Sequence, residues 1–179
     1  MILERIRDYV SFFIATASSY IYFTNMSQCY KKAFHCIAVY LFTDCFINKK
    51  VDVYIHHAIG LMLYTFLHIN NLSEKSEIMV MEPFLAVEIS SIFYCINFLY
   101  PKNYFLILNN SLFFITFFYY RIYNYYYDLI INEDIIDIIE NTGQISKYFY
   151  YSAVYNFYAL NLYWFSKMIK IILKILTKT

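Results

Sequence analysis

His56 and His57 stand side by side at the start of an apolar run, Asp52-Val-Tyr-Ile-His-His-Ala-Ile-Gly-Leu-Met-Leu-Tyr-Thr-Phe-Leu67. An imidazole serves as a general base when a carboxylate fixes its tautomer and raises its basicity. Asp52 lies four residues before His56, the spacing at which two helical side chains touch. Asp44 ends the preceding apolar segment and is placed to face the pair. The candidate catalytic groups are therefore His56, His57, Asp52 and Asp44. Successive helical residues point about 100° apart, so adjacent imidazoles do not readily share one metal ion, and no metal site is expected. The plainer reading is an Asp–His pair at a membrane interface, each partner satisfying the other.

Glu88 sits well inside another apolar stretch, Phe84-Leu-Ala-Val-Glu-Ile-Ser-Ser-Ile-Phe93. A carboxyl at that depth is protonated or paired, and it is costly enough to demand a task. Ser91, three residues on, shares its helical face. Asn109 and Asn110, Arg121, Asn156 and Asn161, Trp164 and Lys167 are further polar or amphipathic residues in or beside apolar segments. Of these, Glu88, Ser91, Asn109, Arg121, Asn161, Trp164 and Lys167 are the candidate ligand-binding residues. Asparagines in membrane helices also serve as helix–helix ties, and Arg121 at a segment end can snorkel outward. His35 and His68 stand alone in sequence and read as packed or interfacial histidines.

The surrounding chain is of membrane grade. Of 179 residues, 61% are hydrophobic, 23% aromatic and only 15% charged. A soluble domain carries roughly 25% charged and about 45–50% apolar residues. Two glycines and two prolines leave little turn chemistry for an all-β fold. A net charge of +1 offers no case for nucleic acid, and the four cysteines lack the spacing of a zinc site or disulfide framework. The start of the chain, mixed in charge, carries no cleavable signal pattern.

A crossing helix needs about 20 residues. Six segments qualify or nearly do: 9–23, 33–47, 53–69, 78–100, 104–120 and 148–168. The fourth opens near Pro83, which a first turn tolerates best. Between the fifth and sixth, Asn132-Glu-Asp-Ile-Ile-Asp-Ile-Ile-Glu140 reads as a short amphipathic helix at the interface. The expected fold is all-α: one domain over 1–179, a polytopic bundle of about six spans around an internal cavity open toward the cytosolic leaflet.

Lysine and arginine counts set the orientation. One side would hold Arg5, Arg7, Lys49, Lys50, Lys102, Lys167, Lys170, Lys174 and Lys178. The other would hold Lys31, Lys32, Lys75, Arg121 and Lys147. The richer side, with both termini, is assigned to the cytosol. The lysine-rich stretch 167–174 is expected to lie along the cytosolic headgroups.

Four blocks in order resemble the TLC-domain family, which includes translocation-associated TRAM proteins, longevity-assurance ceramide synthases and a ceroid-lipofuscinosis membrane protein. Tyr40-Leu-Phe-Thr-Asp44 with Asp52 and His56-His57 is similar to the family's Asp…Asp…His-His block. Leu85-Ala-Val-Glu-Ile-Ser-Ser91, Leu108-Asn-Asn-Ser-Leu-Phe-Phe-Ile-Thr-Phe-Phe-Tyr-Tyr-Arg-Ile122 and Leu160-Asn-Leu-Tyr-Trp-Phe-Ser-Lys-Met-Ile169 are similar to its later blocks. The small TLC-domain transmembrane branch is the nearest in pattern. Departures stand beside the likeness: Glu88 and its serines replace the longer synthase signature, a further N-terminal span usual in the family is missing, and Ser11-Phe-Phe lies where a histidine is often found.

The resemblance implies a multi-pass protein of the endoplasmic reticulum or related endomembrane, binding or sensing lipid in membrane homeostasis or trafficking. It needs no cofactor on that reading. An alternative is an N-acyltransferase of ceramide synthase type, with acyl-CoA as substrate and His56 or His57 as base toward the amine of a long-chain base. A third reading is a non-catalytic structural or cargo partner. Expected partners are membrane lipids, with a second copy or another membrane protein as a further candidate, not nucleic acid.

Overall fold

The computed structural model describes residues 2–47, 50–70, 72–100 and 105–177. Lys49, Lys102, Lys178 and the first residue of the fifth expected span lie outside the described residues. Those described are helical almost throughout, with no strand among them. The elements are α1 (Ile2–Phe23), α2 (Ser27–Ile47), α3 (Val51–Ile69), α4 (Glu74–Leu99), α5 (Leu106–Thr116), α6 (Glu133–Glu140) and α7 (Gln144–Leu176). Between α5 and α6 the rod continues as two π-helical stretches, Phe117–Asn124 and Tyr126–Ile130.

α4 is the axis of the bundle. Its middle turns are enclosed by other helices, and Val80, Leu85, Ala86 and Ser90 are almost fully buried. α1 lies along it most extensively, with α2, α5 and the first π stretch completing its surround. α3 packs instead between α2 and α7 and scarcely touches α4 among the described residues. Gly60 permits the α2–α3 approach: a Cβ there would meet Leu41 Cδ1 at 2.6 Å. Ser73 caps α4, accepting from the Ser76 amide at 3.2 Å. Pro83 falls in the third turn of α4, not in a first turn as expected, because the helix begins at Glu74.

The π stretches set what the fifth rod buries. Residues four apart drift by about 40° per step in an α-helix. Wider turns counter that drift, so Phe117, Arg121, Tyr125 and Leu129 all remain on the inner face. Two tyrosines lock this rod to α7: Tyr125 donates to the Val154 carbonyl at 3.3 Å, and Tyr150 donates to the Leu129 carbonyl at 3.1 Å.

α6 is the expected amphipathic segment. Asn132 caps it, accepting from the amides of Asp134 and Ile135, while Ile135 and Ile139 are buried and the acids point outward. α7 differs from expectation. Its helix runs without a break through Lys167, Lys170 and Lys174, so the basic tail continues the rod rather than turning along the headgroups. Side chains such as Phe13 (73% exposed), Phe46 (76%) and Ile107 (83%) face outward on three different helices. By length and composition one helix among the described residues, α4, is apolar enough to cross a membrane.

Candidate functional site

The polar residues singled out by type gather mostly inside the bundle, in two connected groups. The first lies where α1, α2 and α3 meet. Asp44 and His57 are both buried, with Asp44 Oδ2 3.6 Å from His57 Nδ1. Arg7 of α1 brings its Nε to 4.0 Å from Asp44 Oδ1. The Tyr40 ring stands edge-on to His57 at 6.1 Å, with Ser11 near its hydroxyl. Cys95 Sγ donates to the same Ser11 at 3.5 Å. Ser11 and Tyr40 had no assigned role in the sequence: Tyr40 opens a family-like block, and Ser11 stood only as a departure from the family pattern.

The second group surrounds Arg121. This residue does not snorkel outward. The π stretch turns it into the bundle, where it is 6% exposed. Its fork of donors explains the placement: Nε donates to Ser90 Oγ at 2.6 Å, Nη2 to Ser91 Oγ at 2.8 Å, and Nη1 reaches Asn161 Oδ1 at 3.5 Å. The guanidinium also lies 5.3 Å from the Phe117 ring centroid. Ser90 is the residue missed here. It is fully buried and also donates to the Val87 carbonyl, and the serine pair in sequence was its only sign.

His56 links the groups but not through Asp52. Its ring packs on Phe157 at 4.9 Å, Trp164 at 5.4 Å and His57 at 5.5 Å. The expected Asp52–His56 contact gives way to one across helices: Trp164 Nε1 donates to Asp52 Oδ2 at 3.1 Å, and Lys167 Nζ lies 3.9 Å from the same oxygen. The indole thus stands between carboxylate and imidazole. Its hydrogen bond, with help from the Val53 amide and Lys167, holds the Asp52 carboxyl below the usual carboxylate range. The carboxylate oriented toward an imidazole is Asp44, and the imidazole is that of His57.

Other candidates lie elsewhere. Asn109 is buried but ties α5 to α4, donating to the Phe93 carbonyl at 2.9 Å and to Asn97 Oδ1 at 2.8 Å, with Asn110 accepting from Asn97. It does not join the Arg121 cluster. Asn156 faces outward and donates to Ser152 on its own helix. His35 and His68, isolated in sequence, meet at 5.1 Å between ring centroids beside Tyr64.

The internal cavity is also smaller and differently placed than expected. A crevice of about 30 Å³ lies among α2, α3, α4 and α7, lined by His56, Gly60, Leu41, Phe84, Glu88 and Phe157. The larger hollow, about 610 Å³, opens at the opposite end, beside Lys31, His68, Asn70, Glu74 and Glu77. Comparison with known proteins gives no match to a family model, a curated protein or a solved structure.

Proposed function

We propose that this chain is a polytopic membrane protein of the TLC type that binds or senses a lipid and acts in membrane lipid homeostasis or trafficking. The observation that carries the proposal is an inversion of polarity. Arg121, Glu88, Ser90, Ser91, Asn161, His56, His57 and Asp44 turn inward, while large apolar side chains cover much of the outside. Charged groups at that depth are costly and mark sites of function in a bilayer. Six rods would then cross, with α1, α2, α3, α4, the α5–π rod and α7 as the spans and α6 at the interface. The termini would face the cytosol.

The crevice beside His56 and Glu88 accommodates a small polar group, not an acyl chain. The chain of a bound lipid would run outside it, along apolar helix surfaces, or between α3 and α4 if these part. Lipid retained by the purified protein tests this. Glu88→Ala and His56→Ala should each lower the amount or change the class of lipid extracted with the protein. Unchanged lipid in both variants rejects the reading.

One observation favours the acyltransferase as a second reading: inside the bundle Asp44 Oδ2 lies 3.6 Å from His57 Nδ1, just beyond hydrogen-bond reach, so a small shift would let the carboxylate orient the imidazole as a base. Membranes containing the protein, given acyl-CoA and a long-chain base, should then form an amide product. The His56→Ala/His57→Ala variant should not. Equal product from both excludes it.

A further inference from the structure

The larger hollow, about 610 Å³, lies at the end of the bundle away from Asp44 and Asp52, where the start of α2, the end of α3 and the start of α4 come together. Its size falls within the range of ligand sites, about 300–1,000 Å³. The floor is apolar, and Leu67 and Met81 there are buried. The walls are polar. Lys31 of α2 pairs with Glu77 of α4, Nζ to Oε2 at 3.1 Å, so these two charges offset each other across the hollow. His68 turns its ring to Tyr64, stacked at 4.5 Å between centroids, with Nε2 3.3 Å from the hydroxyl. Asn70 Nδ2 donates to the Phe66 carbonyl at 2.7 Å, which leaves Oδ1 to accept. Glu74 is exposed and has no hydrogen bond or ion pair among the described residues.

The balance of these groups decides what the hollow takes. One lysine against two glutamates leaves a surplus negative charge, and the lysine is engaged by Glu77, so the surplus sits on Glu74. A carboxylate repels an anionic ligand and attracts a cation. A metal ion is not the match: among the described residues no three of His, Cys, Asp or Glu converge as its ligands. A quaternary ammonium is held by aromatic faces, and no Phe, Tyr or Trp is among the described residues that line the hollow. A primary ammonium carries three N–H donors that call for oxygen acceptors, and Glu74 and Asn70 supply them. We propose that the hollow binds the primary ammonium of a ligand, with Glu74 as its counter-charge and Asn70 Oδ1 as a further acceptor. The carrier of that ammonium is an aminophospholipid headgroup at the bilayer surface; this second step, unlike the ammonium site, rests on the lipid reading above.

Calorimetric titration of the full chain in detergent with short-chain lipids tests it. Dioctanoyl phosphatidylethanolamine should bind about tenfold more tightly than dioctanoyl phosphatidylcholine, the scale set by hydrogen bonds to a charged group. Glu74→Gln should erase that preference, and Glu74→Asp, which keeps the charge, should retain it. Equal affinity for the two lipids in the natural chain overturns the proposal, and so does a preference that survives Glu74→Gln intact. Glu74 stands at the exposed start of α4, so the variants should melt with the natural chain and report on binding alone. Glycerophosphoethanolamine, the headgroup without its acyl chains, separates the two steps. Weaker binding than the lipid supports the lipid carrier. Binding as tight as the lipid supports the ammonium site and overturns the lipid carrier.

Discussion

Arg121 shows how a single side chain can organise a bundle. Its five donors meet two serines of α4 and an asparagine of α7, so one residue of the fifth rod ties three elements together. Arg121→Leu should destabilise the fold by about 1–3 kcal/mol, because the oxygens of Ser90, Ser91 and Asn161 lose their donor inside the bundle. Arg121→Lys should recover only part of this, since an ammonium does not reproduce the fork. Chemical unfolding in detergent measures both, and a loss under about 1 kcal/mol for the leucine variant would show the cluster to be incidental.

Asp52 carries a pH prediction of its own. Its carboxyl is held low chiefly by the Trp164 indole, so folding favours the ionised form. The stabilisation is present above the ordinary aspartate value near about 3.9 and is lost as pH falls below it through the lowered one. The melting temperature should therefore drop in that acid range, and Asp52→Asn should flatten the drop. An unchanged acid profile in Asp52→Asn would show that the Trp164 link adds nothing.

At the scale of elements, what the sequence disclosed depended on how local the cause was. α6 was legible because its cap, its acids and its isoleucine spacing lie within one short stretch. The inward turn of Asp44 and the buried face of α4 were legible from type and spacing. Three features were not. The inward Arg121 depends on π turns, whose origin is packing against α4 and α7. The loss of the Asp52–His56 contact depends on Trp164 arriving from a distant helix, and a cross-helix donor overrides an i, i+4 pair. The unbroken α7 follows from a stretch, Gln144–Leu176, that holds no proline or glycine to end it. The cap of α6 offers a local check: Asn132→Ala should cost about 1 kcal/mol, read as faster amide exchange in 134–136 while α4 exchange stays unchanged. Equal acceleration in both helices would mean that α6 is not a separate unit.

For the whole molecule, α7 is long enough to say something about its surroundings. Its 33 residues span about 50 Å at 1.5 Å each, against a hydrocarbon core of about 30 Å. The lysine-bearing end would therefore project past the lipid on the side that holds Asp44, Asp52 and Arg7. The claim beneath the account is that the outward apolar surface meets lipid. Cys36 tests it, because it is exposed on the outer face of α2 and unpaired. In proteoliposomes a charged, water-borne maleimide should leave Cys36 unmodified, and the same reagent should modify it once the chain is unfolded in dodecyl sulfate. Modification of Cys36 in intact proteoliposomes at the rate of a free thiol in water would contradict the account.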